Sequence, residues 1–258
     1  MQEKKLYHYT SLDAFHKIMT GKLTVPNNKN EKEHIVMHAT HIRFLNDTME
    51  YVYFKNLLWE AIKGDRDITE SKFETYMERL CYIPDPYILS FSENCEFLPM
   101  WQMYANNATG LMLEFNKESL QKAFPSLSHC LYEKCIDDGN AKELAITISC
   151  NSVMSAIFDH DNIRGRMSLY KAPDYKYENE WRICCHADKC YTKISNGMIK
   201  PYIEVAIPID CLERVVIGPC AVNKEQIEYA IRTLLKAKSS KKDIAICPSS
   251  INSYRNNI

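Results

Sequence analysis

Two periods of apolar spacing run through this chain, and the switches between them mark out its elements. Residues 6–11, Leu6-Tyr7-His8-Tyr9-Thr10-Ser11, are largely aromatic and β-branched, which suits a pleated, half-buried surface and predicts a strand. The strand passes straight into a helical segment over 12–19, for which Ser11 or Thr10 is the expected N-cap. A short extended piece at 22–25, a polar loop over 26–33 and a β-like stretch over 35–44 follow. Two amphipathic helices come next. The first, 48–63, draws an apolar face from Met49, Val52, Leu57, Ala61 and Ile62; Asp47 or Asn46 caps it, and Glu50 takes the N3 place of a capping box. The second, 69–82, carries Phe73, Tyr76, Met77 and Leu80 at i, i+3, i+4 and i+7. Pro84-Asp85-Pro86 stops it, and the apolar run 87–92 reads as a strong strand.

Strands are then predicted at 109–115, 129–136, 179–186, 202–207, 214–217 and 243–247. Helices are predicted at 117–124, 140–160 and 223–236, with short helical turns at 100–105 and 166–170. The early part is richer in helix and the later part in strand, without regular alternation. The expected class is therefore α+β, not a doubly wound sheet.

Composition narrows the picture. A chain of 258 residues can build one large domain or two small ones. The net charge of −1 gives no global electrostatic argument for nucleic acid or membrane binding. No stretch is long and apolar enough to span a bilayer, and Met1-Gln2-Glu3-Lys4-Lys5 leads into a strand and not an export signal, so a cytoplasmic protein is expected. The 11 cysteines are then expected to be reduced and mostly buried. Cys184-Cys185-His186 with Cys190 is the nearest approach to a metal motif. No CxxC pair exists, and Cys184 and Cys185 would face opposite sides of a strand, so no metal site is expected. There is no G-x-G-x-x-G or Walker sequence, and with 7 glycines little material for a phosphate-cradling loop.

Four clusters could carry chemistry. The first is His8-Tyr9-Thr10. The second runs from Arg43 through Asn46 and Asp47 to Glu50, where Asp47 and Glu50 lie one turn apart and could serve a site or simply start the helix. The third is Ser90-Phe91-Ser92-Glu93 with Trp101 and Tyr104; the serines share one strand face, and Trp101 and Tyr104 also suit a core. The fourth is Glu178-Asn179-Glu180-Trp181-Arg182. Its Trp181, Ile183 and Cys185 would fill the core face, leaving Glu178, Glu180 and Arg182 opposite, either as a site or as an exposed face with a weak ion pair.

Taken in order, these motifs resemble a widespread, mostly bacterial family of unknown function. The marks are Leu6-Tyr7-His8-Tyr9-Thr10-Ser11, Leu45-Asn46-Asp47 with Glu50, and Ser90-Phe91-Ser92-Glu93 with Met100-Trp101 and Tyr104. Glu178-x-Glu180-x-Arg182 and Val216-Ile217-Gly218-Pro219 complete them. The resemblance runs from Leu6 to about Lys236. That family is similar to the ADP-ribosyltransferase-like fold. The resemblance implies a single such domain over 1–258, with mixed or antiparallel sheets, flanking helices and a helical insertion around 47–83. It implies NAD as substrate. Glu180 would stabilise the oxocarbenium-like state, His8 would hold the ribose, and Glu178 would select or deprotonate the acceptor. Thr10, Ser90 and Ser92 would position the nucleotide, with the Tyr9 backbone meeting the nicotinamide amide where many members carry Gly. Trp101 or Tyr104 would stack on nicotinamide, and Arg182 would join the binding wall. The acceptor would be a protein, a nucleic acid, a small molecule or water, the last giving NAD hydrolysis. A toxin or phage-defence role fits the family's bacterial distribution. A non-catalytic nucleotide- or protein-binding module on the same fold is the alternative, and a metal-dependent nuclease using Asp47 and Glu50 a weaker third.

Overall fold

Side chains of a strand point alternately to its two faces, and that alternation decides how this sheet is buried. The computed structural model describes residues 4–21, 33–45, 47, 50–80, 85–136, 167–195, 197–238 and 243–252. The predicted extended piece at 22–25, most of the loop at 26–33 and the helix at 140–160 lie outside these residues. Among the described residues ten strands form one sheet: β1 (Lys5–Thr10), β2 (His34–His41), β3 (Tyr87–Ser92), β4 (Leu111–Asn116), β5 (Ser128–His129), β6 (Glu180–Cys185), β7 (Tyr191–Ser195), β8 (Met198–Pro208), β9 (Leu212–Ile217) and β10 (Ala245–Pro248). Their order is β10-β9-β4-β1-β3-β2-β8-β7, with β6 paired to β3 and β5 to β6. Among the described strands only β9 and β10 pair in parallel, so the sheet is mixed and mostly antiparallel. The helices are α1 (Leu12–Thr20), α2 (Glu50–Ile62), α3 (Glu70–Leu80), α4 (Leu98–Tyr104), α5 (Lys117–Ala123) and α6 (Lys224–Lys238). The class is α+β, as the pattern predicts.

One face of the sheet is the main core. Leu6, Met37, Leu89, Phe91, Leu113, Ile183, Val205 and Val215 pack there against Phe15 and Met19 of α1 and Ile231 of α6. The other face is divided. Near α4 it is apolar, with Tyr7, Tyr9 and Met112 under Trp101; beside that lie the polar residues of the site. Helices α2 and α3 form a cluster of their own with Met167 and Tyr170. The buried stripe of α2 is Phe54, Leu58 and Ile62, joined by Leu57, whereas Val52 is 42% exposed and Ala61 faces solvent. The apolar spacing predicts Val52 and Ala61 on that face; the i, i+4 row meeting Phe73 and Met77 of α3 is buried instead. Among the described residues no helix is long and apolar enough to cross a membrane.

Other expectations are corrected. The strand predicted at 129–136 shrinks to β5 and a single bridge from Leu131 to Tyr170. β7 is unforeseen, and β8 starts before Pro201, a residue tolerated because β2 pairs with β8 only as far as Tyr202 and leaves that edge of β8 open at Pro201. Cysteines are not mostly buried: of the nine that are described, all free, only Cys130 and Cys211 are buried, while Cys95, Cys135 and Cys190 are exposed.

Candidate functional site

Strand β3 is shared unevenly. On one edge β6 pairs with it from Tyr87 to Ser92. On the other, β2 takes only Tyr87 and Ile88, and β1 takes only Ser92. The two neighbours therefore splay apart along Leu89, Ser90 and Phe91. The His8 side chain enters this split and its Nδ1 lies 2.9 Å from the Ser90 carbonyl oxygen. A carbonyl can only accept, so Nδ1 carries the proton. Burial holds the His8 pKa below its usual value, with the Lys193 charge acting in the same direction. The ring is thus neutral near pH 7 and Nε2 is a bare acceptor.

A cavity of about 300 Å³ opens at the split. Its lining brings together His8, Ser90, Ser92, Glu178, Glu180 and Arg182, with Asp47, Tyr104, Lys171, Lys193 and Lys200. The carboxylates form a buried network. Lys171 Nζ donates to Glu178 at 2.5 Å and to Glu180 at 2.7 Å. Arg182 holds Glu180 two-handed, through Nε to Oε1 at 2.9 Å and Nη2 to Oε2 at 2.9 Å, and its Nη1 donates to the Ser168 carbonyl at 2.6 Å. Tyr104 donates its hydroxyl to Glu178 Oε1 at 2.7 Å. Glu180 therefore receives three donors, all from the cations Lys171 and Arg182, which uses most of the roughly four lone-pair sites of a carboxylate. Glu178 receives two and keeps accepting capacity.

Burial sets the charges in this network. It raises the Glu180 pKa, while Lys171 pulls the other way. For Lys171, burial works against the charge, but Glu180 and Glu178 together lift the pKa above its usual value. Burial lowers the Arg182 pKa to about 10, opposed by the nearby Asp47 charge, so the guanidinium stays charged at neutral pH. Burial also lifts the Tyr104 hydroxyl, helped by Glu178 beside it.

The local chain explains how two carboxylates converge. The expected strand over 179–186 begins only at Glu180. Glu178 ends a 3₁₀ turn over Pro173–Glu178, and Asn179 between them adopts a left-handed conformation with φ 49°. Asparagine tolerates that region better than other non-glycine residues. Its side chain is fixed by His129 at 3.1 Å. Ser92 locks the turn from β3: its hydroxyl donates to the Glu178 carbonyl at 2.5 Å and accepts from Asn94 N at 3.0 Å. Replacing Asn179 by Val, with a β-branched side chain in that conformation, is expected to cost about 1–2 kcal/mol. Asn179→Gly should cost less; equal urea midpoints for the Val variant and the wild type would contradict this.

The other sequence candidates separate. Trp101 is fully buried, edge-on to Tyr9 at 5.1 Å, and does not line the cavity, so it cannot stack on a ligand there. Thr10, 4% exposed, is also absent from the lining. Ser11 caps α1, accepting from Ala14 N at 3.1 Å. Tyr9 reaches the cavity wall, but its hydroxyl is spent on the Asn94 carbonyl at 2.8 Å and on Phe97 N at 3.0 Å. Arg43 is exposed and pairs with Asp85 at 2.6 Å, away from the lining. Asp47 is buried on the cavity wall. Helix α2 starts at Glu50. Asn46, residues 48 and 49 and the Glu50 side chain lie outside the described residues, and with them the predicted capping box.

Lys171, Lys193 and Lys200 did not emerge from the sequence. Lys171 sits in no recognisable motif. The other two were findable: Asn196-Gly197 between Tyr191–Ser195 and Met198 is a strong hairpin signal, and folding about it sets Lys193 opposite Lys200.

No curated protein and no solved structure matches the chain. One family model does, over a shorter span than the motif resemblance: it leaves out His8, Asp47, Ser90 and Ser92 but takes in Tyr104, Lys171, Glu178, Glu180 and Arg182. Residues 100–183, which hold most of the buried charge network, match the family described as protein of unknown function (DUF2971).

Proposed function

We propose that this protein is an NAD-dependent ADP-ribosyltransferase, which breaks the nicotinamide–ribose bond and passes ADP-ribose to an acceptor. The observation that carries this reading is convergence: His8 from β1, Ser90 from β3 and the Glu178–Glu180 pair around Asn179 line one cavity, although they lie far apart in sequence. Cleaving a ribosyl bond passes through an oxocarbenium-like state, which a carboxylate stabilises. Glu178 is the carboxylate with accepting capacity left to meet a ribose hydroxyl and the developing positive charge. Glu180, the residue the motif alone favoured, holds Lys171 and Arg182 in place and shapes the field around Glu178. Neutral His8 accepts a ribose hydroxyl proton at Nε2, and Tyr104 offers a ring face at the wall. The acceptor is a protein, a nucleic acid, a small molecule or water.

A second reading has one specific observation in its favour. Lys171 and Arg182 already neutralise much of the carboxylate charge, which suits a rigid module that binds a nucleotide without reacting. One experiment separates the two. Pure protein is incubated with NAD labelled in its adenylate half, with protein, RNA and DNA acceptors and with buffer alone. Release of nicotinamide, with or without label on an acceptor, is expected. Binding of NAD without any release would establish the module instead, and neither binding nor release would remove both readings.

A further inference from the structure

Lys193 and Lys200 are direct cross-strand partners in the β7–β8 hairpin, and both line the cavity. Like charges set opposite each other on one face of a sheet repel. Lys200 is 5% exposed and Lys193 is half-buried. The other buried lysines have acids: Lys117 meets Glu93 at 3.0 Å, and Lys171 meets Glu178 and Glu180. Among the described residues no carboxylate pairs with Lys193 or Lys200. The contact Lys193 does make is with a ring, its Nζ lying 5.3 Å from the centroid of Tyr202. A buried cation without a partner is costly, and two side by side are costlier. Around them the cavity wall adds the hydroxyl-bearing Thr40 and Ser195. On the acidic side Lys171 and Arg182 are already matched by Glu178 and Glu180.

We infer that Lys193 and Lys200 seat the phosphate or diphosphate group of the ligand. Two positive charges on adjacent strands match a dianion with several acceptor oxygens, where a lone carboxylate would leave one ammonium uncompensated. Lysine binds phosphate as a point charge, without the planar geometry an arginine fork imposes. His8 lines the same cavity as Lys193 and Lys200, so the seat shares a pocket with the proposed ribose-holding group. The arrangement thus reads as one pocket for a phosphorylated sugar, its lining offering hydroxyl acceptors in Glu178 and His8 and two cations without a carboxylate partner in Lys193 and Lys200. Only the identification of that group as the diphosphate of NAD rests on the reading above.

The test uses inorganic pyrophosphate and ADP-ribose as probes, with wild type, Lys200→Met and Lys193→Met. Calorimetry should show both probes binding the wild type, more weakly as salt rises, and at least tenfold more weakly to each variant. Pyrophosphate should raise the melting temperature of the wild type and not of Lys200→Met. Without ligand, Lys200→Met should melt no lower than the wild type, because a like-charge repulsion is gone. If burying Met at 200 disrupts the fold, the half-buried Lys193 position gives the same comparison. Unchanged binding in both variants, or no binding to the wild type, overturns the inference. Wild type that binds pyrophosphate but releases no nicotinamide keeps the seat and removes the transferase reading. Nicotinamide release with anion binding unaltered in both variants does the reverse.

Discussion

Lys171→Met is expected to destabilise the fold by about 3–5 kcal/mol, because it leaves buried carboxylates short of their counter-charge. Lys171 is 4% exposed and donates to both Glu178 and Glu180, which are 3% and 5% exposed. Arg182 can compensate Glu180, but Glu178 would keep only the Tyr104 hydroxyl. The deficit should depend on pH, and the sign follows from Glu180. Burial already holds its folded pKa above the ordinary value against the pull of Lys171, and removing Lys171 lifts it further. A carboxyl whose folded pKa lies above its unfolded one binds more protons when folded. Its contribution is full below the unfolded pKa, about 4.3, and is lost as pH rises through the folded pKa. Urea unfolding of the variant against wild type should therefore show a smaller deficit near pH 5 than near pH 8. The double variant Lys171→Met with Glu178→Gln should recover part of the loss, because it removes the carboxylate that keeps only the Tyr104 hydroxyl. Equal deficits at both pH values, or no recovery, would show that Lys171 acts by packing its stem and not by charge.

How much of this was legible in the chain divides along physical lines. Period two is a local property, so the faces of β3 and β6 read correctly: Ser90 and Ser92 lie opposite Phe91, and Glu180 and Arg182 opposite Trp181 and Ile183. Their burial was not local. The same alternation fits a solvent-exposed face, and only the ladder of Ser90 against Arg182 and Ser92 against Glu180 brings the polar faces side by side in a closed site. The split between β1 and β2 depends on three strands far apart in sequence, and no spacing announces it. Asn179 hid a second fact, since a Glu-x-Glu spacing inside a strand and one across a left-handed kink look identical as letters. Trp101 and Tyr104 show a choice that spacing leaves open: both suit a core and either could stack on a ligand, and the fold puts Trp101 in the core under Tyr9 and Tyr104 on the cavity wall.

Glu178→Gln is expected to lower nicotinamide release by about 100- to 1,000-fold, the scale seen when one preorganised charge-stabilising group is removed. The amide keeps the shape and can still accept from Tyr104 or Lys171, so the loss should fall on kcat more than on KM. Stability should change by about 1–2 kcal/mol at most, since Lys171 keeps Glu180 as partner. Glu180→Gln makes the contrast. It takes from Arg182 the two-handed partner that satisfies its Nε and Nη2, and breaking such a buried pair costs about 3–5 kcal/mol. Its activity should fall together with its melting temperature. The pair of variants thus separates the two carboxylates by measurement. If Glu178→Gln turns over like wild type while Glu180→Gln is stable and inactive, Arg182 must release Glu180 when the ligand binds, and the reacting carboxylate is the one the motif alone suggested. If both losses follow the order argued from the lone pairs, the site works through Glu178 on a scaffold that Glu180, Lys171 and Arg182 hold rigid before the ligand arrives.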